Sequence, residues 1–207
     1  MTAIVVTATG TDIGKTVFAA ALTAALEGCY WKPVQAGMDD GTDRARVAAL
    51  TGLPDDRLLP EAYRLTTPCS PHRAAEIDGV AIDIDRLRPP ACDRPLVIEG
   101  AGGVLVPVTR QVAFADLIAR WRLPAVLVAA TTLGTISHSL TAIEALRARG
   151  VDVRGAAFVG DAAEDSEATI AAMGGVKRLG RLPLLDPLDA DTLAVAFAAN
   201  FDLADFR

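Results

Sequence analysis

The stretch AIVVTATGTDIGKT, residues 3–16, joins an apolar run to a glycine-containing loop and opens a helical pattern. Its apolar residues at 3–7 predict a buried strand, and the alanine-rich residues 15–26 predict a helix. A strand, a tight loop and a helix begin a βαβ unit, in which the next strand of the sheet lies parallel to the first. We therefore expect a parallel sheet.

The same alternation continues along the chain. Further predicted strands are 29–32, 96–98, 125–129, 156–159 and 177–182, and further predicted helices are 43–50, 114–121, 136–149, 164–173 and 191–200. Residues 51–94 are less regular and rich in proline, with helical pieces at 71–77 and 84–87. Continuous apolar runs are typical of strands covered on both faces. We predict an α/β fold, a single domain over residues 1–207, with an open, mostly parallel sheet flanked by helices.

The composition argues against several classes of protein. The chain has 207 residues, 51% of them hydrophobic, and a formal net charge of −6, so we expect no nucleic-acid partner. An uncharged stretch at about 124–143 is long enough to cross a bilayer. However, Pro124, Gly134 and several Thr and Ser residues in it favour a buried strand, a turn and a helix start. We therefore expect no membrane partner.

The cysteine pattern bears on the cellular compartment of the protein. Cys29, Cys69 and Cys92 are odd in number and widely spaced, and they match neither a zinc pattern nor a disulfide framework. We therefore expect reduced thiols. No basic segment precedes the short N-terminal apolar run, which argues against a signal peptide. Both observations favour a cytoplasmic location.

The loop after the first strand nearly matches the phosphate-binding pattern G-x-x-x-x-G-K-[ST]. Gly14, Lys15 and Thr16 supply the end of the pattern, whereas Thr9 occupies the first glycine position and a glycine follows at Gly10. In such a loop the backbone N–H groups and the helix N-terminus attract phosphate. The lysine can reach a terminal phosphate, and the threonine hydroxyl can bind Mg²⁺. The alternative is an ordinary strand–turn–helix with a surface lysine.

Two acidic residues are candidates for a metal ion. Glu99 follows an apolar strand and precedes three closely spaced glycines, Gly100, Gly102 and Gly103. A carboxylate at a strand end beside a phosphate loop can hold Mg²⁺, and the glycines would let the backbone approach a phosphate. Asp43 begins a predicted helix and is either a second Mg²⁺ ligand or the N-cap of that helix. The pattern alone favours the cap.

A second lysine is predicted at the same end of the sheet. Lys32 ends the second predicted strand, and Pro33 fixes the backbone after it. This lysine would face the γ-phosphate of a bound triphosphate and stabilise charge that develops between the phosphate and an attacking anion. A solvated lysine at a strand end is the common alternative.

Seven stretches of the chain occur together in an order that one enzyme family shares. They are VVTATGTDIGKT (5–16), KPVQAG (32–37), GTDRARVAAL (41–50), SPH (70–72), VIEGAGG (97–103), LGTISH (133–138) and GRLPLL (180–185). Together they resemble the dethiobiotin synthetases. The phosphate loop alone is unspecific, whereas its combination with Lys-Pro-Val and Glu-Gly-Ala-Gly-Gly is specific. The family's phosphate loop is itself long, so we interpret this one as a variant loop in which Gly10 supplies flexibility.

The resemblance implies an enzyme, a P-loop NTPase-like cyclo-ligase of biotin synthesis. Its expected substrates are 7,8-diaminononanoate, CO₂ or bicarbonate, and ATP, with Mg²⁺ as the cofactor. The expected path begins with a carbamate on one amine, whose oxygen attacks the γ-phosphate to give a carbamic-phosphoric anhydride and ADP. The second amine then closes the ring and releases phosphate, giving dethiobiotin.

The resemblance also assigns residues to this site. The nucleotide would contact Asp12, Ile13, Gly14, Lys15, Thr16, Val17, Asp43, Glu99, Gly100, Ala101, Gly102, Leu182, Pro183 and Leu184. The metal ligands would be Thr16, Asp43 and Glu99, and the catalytic residues would be Lys32, Lys15 and Thr11. The substrate would contact Thr11, Lys32, Leu133, Gly134, Thr135 and Ile136. In this family the last four belong to a helix start in a second subunit, which implies a homodimer.

Two positions depart from the family's pattern. Ala36 stands where members usually carry a Ser or Thr hydroxyl that contacts the substrate. Val159 and Gly160 stand where some members carry an asparagine that contacts adenine. Base recognition would then rest on the backbone near residues 182–184, and we expect weak selectivity for ATP over other triphosphates. The role of His72 is open, and lining the substrate cavity is one alternative.

Three other functions compete with this one. A MinD/ParA-like ATPase switch shares the fold, but such proteins carry a lysine early in the phosphate loop, where this chain has Gly10. The chain also ends in FDLADFR (201–207) rather than in a basic amphipathic membrane helix. An amide-forming ligase acting on a corrinoid would usually bring a glutaminase domain, for which 207 residues leave no room. The Lys-Pro-Val and Glu99 stretches argue against a P-loop kinase of a small metabolite.

Overall fold

A parallel sheet with its first strand at the centre forms the middle of the protein. The structure is a computed structural model that describes residues 3–39 and 41–207. Its strands are β1 (Ala3–Ala8), β2 (Cys29–Trp31), β3 (Val34–Ala36), β4 (Leu58–Leu59), β5 (Tyr63–Leu65), β6 (Leu96–Glu99), β7 (Ala125–Ala130), β8 (Val153–Val159) and β9 (Arg178–Leu182). Seven of them pair in parallel in the order β4-β2-β6-β1-β7-β8-β9. The short strands β3 and β5 form a separate parallel pair.

Helices connect the strands and cover both faces of the sheet. They are α1 (Lys15–Ala25), α2 (Asp43–Thr51), α3 (Pro71–Ile77), α4 (Phe114–Trp121), α5 (Thr135–Arg147), α6 (Glu164–Gly174) and α7 (Ala190–Asn200). The predicted α/β architecture is confirmed. The sequence missed the short strands β3, β4 and β5, and the helical piece predicted at 84–87 is a 3₁₀ turn over Ile84–Arg86.

The uncharged stretch at 124–143 contains strand β7 and the first two turns of helix α5, as the sequence indicated. Within residues 3–39 and 41–207, none of the helices has the length and apolar character that crossing a membrane requires.

The core lies on both sides of the sheet because successive strand side chains point in opposite directions. Val5 of β1 and Ile98 of β6 belong to a cluster that includes residues of α4 and α5. Their neighbours Val6 and Val97 belong to a second cluster, which includes residues of α1 and α7. Burial on both faces explains why the strands are continuous apolar runs rather than alternating ones.

The register brings three strand ends to one edge of the sheet. Val6 of β1 pairs with Glu99 of β6, and Ile98 of β6 pairs with Trp31 of β2. Because all three strands are parallel, their carboxyl ends lie side by side. The loops that leave this edge are where a sheet of this kind binds its ligands.

Two of the three cysteines are paired. Cys29 and Cys92 form a disulfide, whereas Cys69 is free and exposed. The expectation of three reduced thiols is therefore wrong for this pair. The 63 residues that separate the two cysteines gave no indication of it. The Cys29 N–H donates to the Pro95 carbonyl at 2.8 Å, which brings the segment after Cys92 beside the start of β2.

Four phenylalanines join the last part of the chain to helix α1. Phe18 of α1 lies 5.9 Å from Phe197 of α7 and 5.4 Å from Phe201, measured between ring centroids. Phe197 and Phe201 are stacked at 4.7 Å, and Phe206 lies against both of them and against Phe18. This cluster anchors the helix that follows the phosphate loop, because α1 and α7 share it.

We expect Phe197→Ala to lower the free energy of unfolding by about 3 kcal/mol, since Phe197 is buried in this cluster and truncation leaves a cavity. Equilibrium unfolding in urea measures this change. Val195→Ala is the control, because Val195 lies on the same helix and is 70% exposed. Its effect should be below about 0.5 kcal/mol. Equal effects of the two substitutions would contradict the role of the cluster.

Candidate active site

The loop between β1 and α1 turns at two residues with left-handed backbone conformations. These are Asp12, with φ 55°, and Gly14, with φ 87°, whereas Gly10 has no left-handed φ. A Cβ atom at Gly14 would lie 2.7 Å from Val159 Cγ1, so this position excludes any larger residue. The Gly14 carbonyl accepts from the Phe18 N–H at 3.0 Å and begins helix α1. The loop therefore ends at a helix N-terminus, as a phosphate site requires.

Four predicted site residues meet in a buried polar cluster at the edge of the sheet. Lys32 Nζ lies 3.0 Å from Glu99 Oε1 and forms a second ion pair with Asp43 Oδ2. The Thr16 hydroxyl lies 2.8 Å from Glu99 Oε1 and 3.1 Å from Asp43 Oδ1. Lys32 is 5% exposed and Glu99 is 0% exposed. The alternative of a solvated strand-end lysine is therefore wrong.

The strand register explains the Lys32–Glu99 contact. Trp31 of β2 pairs with Ile98 of β6, so the next residues, Lys32 and Glu99, leave their strands beside each other and on the same face. Tyr30 precedes Lys32 by two residues and shares that face. Its hydroxyl donates to Glu99 Oε2 at 2.7 Å. Tyr30 was not among the predicted site residues, although its spacing from Lys32 pointed to the same face.

Asp43 is a member of the site and not the N-cap of its helix. Thr42 is the cap of α2, and its hydroxyl accepts from the Ala45 N–H at 3.1 Å. The pattern favoured Asp43 as the cap. Because Thr42, one residue earlier, is the cap instead, the Asp43 carboxylate is free to face Lys32. Gln35 holds the start of the helix, because its side-chain oxygen accepts from the Asp43 N–H at 3.1 Å. The sequence analysis also missed this role of Gln35.

The two lysines of the site have pKa shifts of opposite sign. Burial opposes the charge on Lys32, but Glu99 and Asp43 outweigh burial and raise the pKa of Lys32. Burial likewise opposes the ionised form of Asp43, but Lys32 outweighs it, and the pKa of Asp43 is lowered. For Lys15, burial prevails over the attraction of Glu99 and lowers the pKa. A polyanion beside Lys15 would stabilise its charged form, so the site favours an added negative group.

Three oxygen donors in the cluster fit a hard divalent cation. They are the hydroxyl of Thr16 and the carboxylates of Asp43 and Glu99, supplied by the start of α1, the start of α2 and the end of β6. Carboxylates beside a hydroxyl are the ligand types that Mg²⁺ takes next to phosphate groups. The residues predicted as metal ligands therefore suit this ion chemically.

A cavity of about 870 Å³ opens over this cluster. The predicted site residues on its walls are Thr11, Asp12, Ile13, Gly14, Lys15, Thr16, Val17, Lys32, Asp43, Ala101 and Gly102. The cavity extends past Ala36 to Cys69 and Ser70, so the position that departs from the family's pattern lies on its wall. His72 instead lines a separate cavity of about 230 Å³, and its Nδ1 lies 3.1 Å from the Ser70 hydroxyl.

Other predicted residues lie outside the walls of the large cavity. Gly100 is behind it, where a Cβ atom would lie 2.8 Å from the Phe114 ring, and its N–H donates to the Val6 carbonyl. Protein packing therefore requires this glycine. Leu182 ends β9 at the same edge of the sheet, and Pro183 and Leu184 follow it. Leu182 is joined to β8, because its carbonyl accepts from the Gly160 N–H at 3.0 Å.

The remaining predicted residues form the start of α5. Gly134 has φ 93° and is the N-cap residue of the helix, and the Thr135 hydroxyl donates to the Ala130 carbonyl at 2.5 Å. The Leu133 side chain is fully exposed. Within one copy of the chain, residues Leu133, Gly134, Thr135 and Ile136 do not line the large cavity.

We expect Lys32→Ala to lower the free energy of unfolding by about 3 kcal/mol at pH 7, because it leaves the buried carboxylate of Glu99 without its charged partner. A solvated lysine at a strand end would add little stability, whereas Lys32 is buried. Lys177→Ala is the control, since the Lys177–Asp205 ion pair lies near the surface. It should cost less than about 1 kcal/mol in the same urea titration.

The pH dependence of this loss follows from the two shifted pKa values. Asp43 has a lowered pKa, so its contribution is complete above the ordinary 3.8 and is lost as the pH falls through the folded value. Lys32 has a raised pKa, so its contribution is complete below 10.5 and is lost as the pH rises through the folded value. The difference between wild type and Lys32→Ala should therefore be constant from about pH 7 to pH 10. It should shrink at acidic pH, where Asp43, which has lost Lys32 in the variant, is protonated more readily. A difference that disappears within this range would contradict the ion pairing.

Comparisons with known proteins agree with this geometry. The family described as "AAA domain" matches residues 2–192. The ATP-dependent dethiobiotin synthetase BioD of Rhizorhabdus wittichii is 67% identical over 204 residues, which cover 99% of this chain and 98% of that protein. The protein of the same name from Novosphingobium aromaticivorans is 65% identical over 206 residues, with all of both chains covered.

Solved structures resemble the fold at low sequence identity. A ParA family ATPase from Chlorobium tepidum matches with a TM-score of 0.59 at 12% identity, over 94% of this chain and 88% of that one. The cell division ATPase MinD of Pyrococcus furiosus matches with a TM-score of 0.54 at 14% identity, over 96% and 90%. These likenesses concern the fold alone. The similarity over nearly the whole length to the synthetases shows that the chain belongs to the ATP-dependent dethiobiotin synthetase family.

Proposed function

We propose that the protein closes the ureido ring of dethiobiotin from 7,8-diaminononanoate and CO₂, with conversion of ATP to ADP and phosphate. The observation that carries this proposal is the convergence of two lysines and two oxygen donors, Thr16 and Asp43, on one cavity, with Glu99 bound to this cluster behind the cavity wall. Phosphoryl transfer needs positioning and charge neutralisation more than covalent help from the protein. Membership of the synthetase family supports the identity of the substrate.

The phosphate end of the cavity has the parts that hold a triphosphate. The backbone around Gly14 and the N-terminus of α1 face the cavity, and Lys15 has a lowered pKa that an anion would raise again. Thr16, Asp43 and Glu99 would hold Mg²⁺ there. The bound ion would neutralise charge on the phosphate oxygens.

Lys32 is suited to the step that joins the two substrates. Its raised pKa keeps it charged, and it lines the cavity between the phosphate loop and Ala36. There it would stabilise the carbamate formed from one amine and CO₂, and then the negative charge that develops as a carbamate oxygen attacks the γ-phosphorus and ADP leaves. In the second step, the other amine attacks the carbamic-phosphoric anhydride carbon, loses a proton and releases phosphate. The Thr11 hydroxyl would orient the substrate.

We further propose that the enzyme works in the cytoplasm, where its substrate ATP is available, although the Cys29–Cys92 disulfide does not support that location. We also propose that a second copy of the chain completes the substrate site. The start of α5 has no side-chain cap, so its first turn could receive a carboxylate. It does not line the cavity of its own copy, and the Leu133 side chain beside it is fully exposed. Light scattering should give twice the chain mass of 21.6 kDa. Leu133→Asp should shift this mass towards the monomer and weaken substrate binding. A monomeric, fully active protein would contradict the shared site.

The reaction is tested by acid-stable incorporation of labelled bicarbonate into dethiobiotin, with diaminononanoate, ATP or Mg²⁺ omitted in turn. We expect label only when all components are present. Lys32→Met should lower the rate by at least about a hundredfold under conditions where the variant is folded, as for other lost charge-stabilising donors. Lys177→Ala should match the wild type. Absence of label with intact ATP hydrolysis would favour the MinD/ParA-like switch instead.

The same assay tests base preference, because the adenine-contacting asparagine of some members is replaced by Val159 and Gly160. We expect CTP and GTP to support label within roughly tenfold of ATP, since sites that lack hydrogen-bond readout discriminate weakly. Activity with ATP alone would contradict weak selectivity and would point to a backbone contact that reads the base.

A further inference from the structure

The Tyr30 hydroxyl makes a buried hydrogen bond to the deepest acid of the site. Tyr30 is 0% exposed, and its hydroxyl donates to Glu99 Oε2 at 2.7 Å. The Tyr30 side chain lies in the apolar cluster beneath α1, so its polar atom would be costly there without this partner. Burial, together with Glu99, raises the pKa of Tyr30 well above 10, so the phenol remains a donor.

The two oxygens of Glu99 have different partners. Oε1 lies 3.0 Å from Lys32 Nζ and 2.8 Å from the Thr16 hydroxyl, whereas Oε2 accepts from Tyr30. The first oxygen therefore faces the site and the second faces the core. A carboxylate can rotate about its last bond, and this torsion is soft unless each oxygen is held. The hydrogen bond from Tyr30 holds the oxygen that the active site does not use.

We propose that Tyr30 is a positioning residue for the metal site, because its hydroxyl fixes the carboxylate of Glu99 with Oε1 turned towards Thr16. The proposal rests on the function proposed above, in which Glu99 helps to hold Mg²⁺. Groups that hydrogen-bond to metal ligands in this way commonly change metal affinity by 10- to 100-fold when they are removed. Tyr30 is thus expected to act on metal binding through Glu99, without contact to the nucleotide.

The first test is the binding of Mn²⁺ to the protein–ADP complex, followed by electron paramagnetic resonance. Tyr30→Phe keeps the ring and removes only the hydroxyl, and it should weaken Mn²⁺ binding by roughly tenfold. ADP affinity measured in EDTA should remain within about twofold of the wild-type value. A general structural defect would lower ADP affinity as well. Tyr63→Phe is the matched control, because its hydroxyl accepts from the Asp83 N–H at 2.8 Å in a different part of the fold. It should leave both affinities unchanged.

Glu99→Gln distinguishes a failure of the role proposed for Tyr30 from a failure of the proposed metal site. If Glu99→Gln weakens Mn²⁺ binding and Tyr30→Phe does not, the role of Tyr30 is wrong and the metal site stands. If neither substitution weakens Mn²⁺ binding, Glu99 is not a metal ligand and both proposals fail at this residue. If Tyr30→Phe lowers ADP affinity in EDTA as strongly as Mn²⁺ affinity, the residue is structural rather than positioning.

A second test keeps the phenol and so does not depend on how Tyr30→Phe folds. The chain has two tyrosines, so protein grown with 3-fluorotyrosine should give two ¹⁹F resonances, which Tyr63→Phe assigns. Adding Mg²⁺ to the ADP complex should move the Tyr30 resonance and leave the Tyr63 resonance in place. A Tyr30 resonance that does not respond to Mg²⁺ would overturn the proposal.

Discussion

The ion pairs of Lys32 with Glu99 and Asp43 constrain the rest of the structure. A buried charge is costly unless it is paired and hydrogen-bonded. Glu99 is 0% exposed, so the ends of β2 and β6 and the start of α2 must stay in place for the charges to meet. The parallel register fixes the first two, and the Gln35 side chain fixes the third by accepting from the Asp43 N–H. The packing of the helices around the sheet preserves this geometry.

The two lysines of the site differ in which groups balance their charge. Lys32 is satisfied by carboxylates of the protein and is charged before any ligand arrives, as its raised pKa indicates. Lys15 is buried with a lowered pKa, so its charge is fully stabilised only when a further anion is present. In the proposed reaction a phosphate group of the nucleotide would supply that anion at Lys15, and Lys32 would already be charged for the reacting carbamate.

Sequence reasoning found the elements whose patterns are long and apolar, and it found the residues at strand ends. The strands around β1 and the placement of Thr16, Lys32 and Glu99 at one edge follow from the βαβ rhythm. It failed where pairing depends on distant chain segments. The Cys29–Cys92 disulfide and the two-residue strand β4 have no local pattern. Asp43 was ambiguous because a helix N-cap and a metal ligand favour the same residue type at the same position.

Two glycines of the site have no room for a side chain. A side chain at Gly100 would strike the Phe114 ring, and one at Gly14 would strike Val159. The loop after β6 is also bound to β1 directly, because the Val104 N–H donates to the Ala8 carbonyl at 3.0 Å. Val159 packs against the phosphate loop itself, because a Cβ atom at Gly14 would lie 2.7 Å from Val159 Cγ1. A larger side chain at position 159 would have to clear the Gly14 backbone, so the end of β8 and the shape of the phosphate loop cannot change independently.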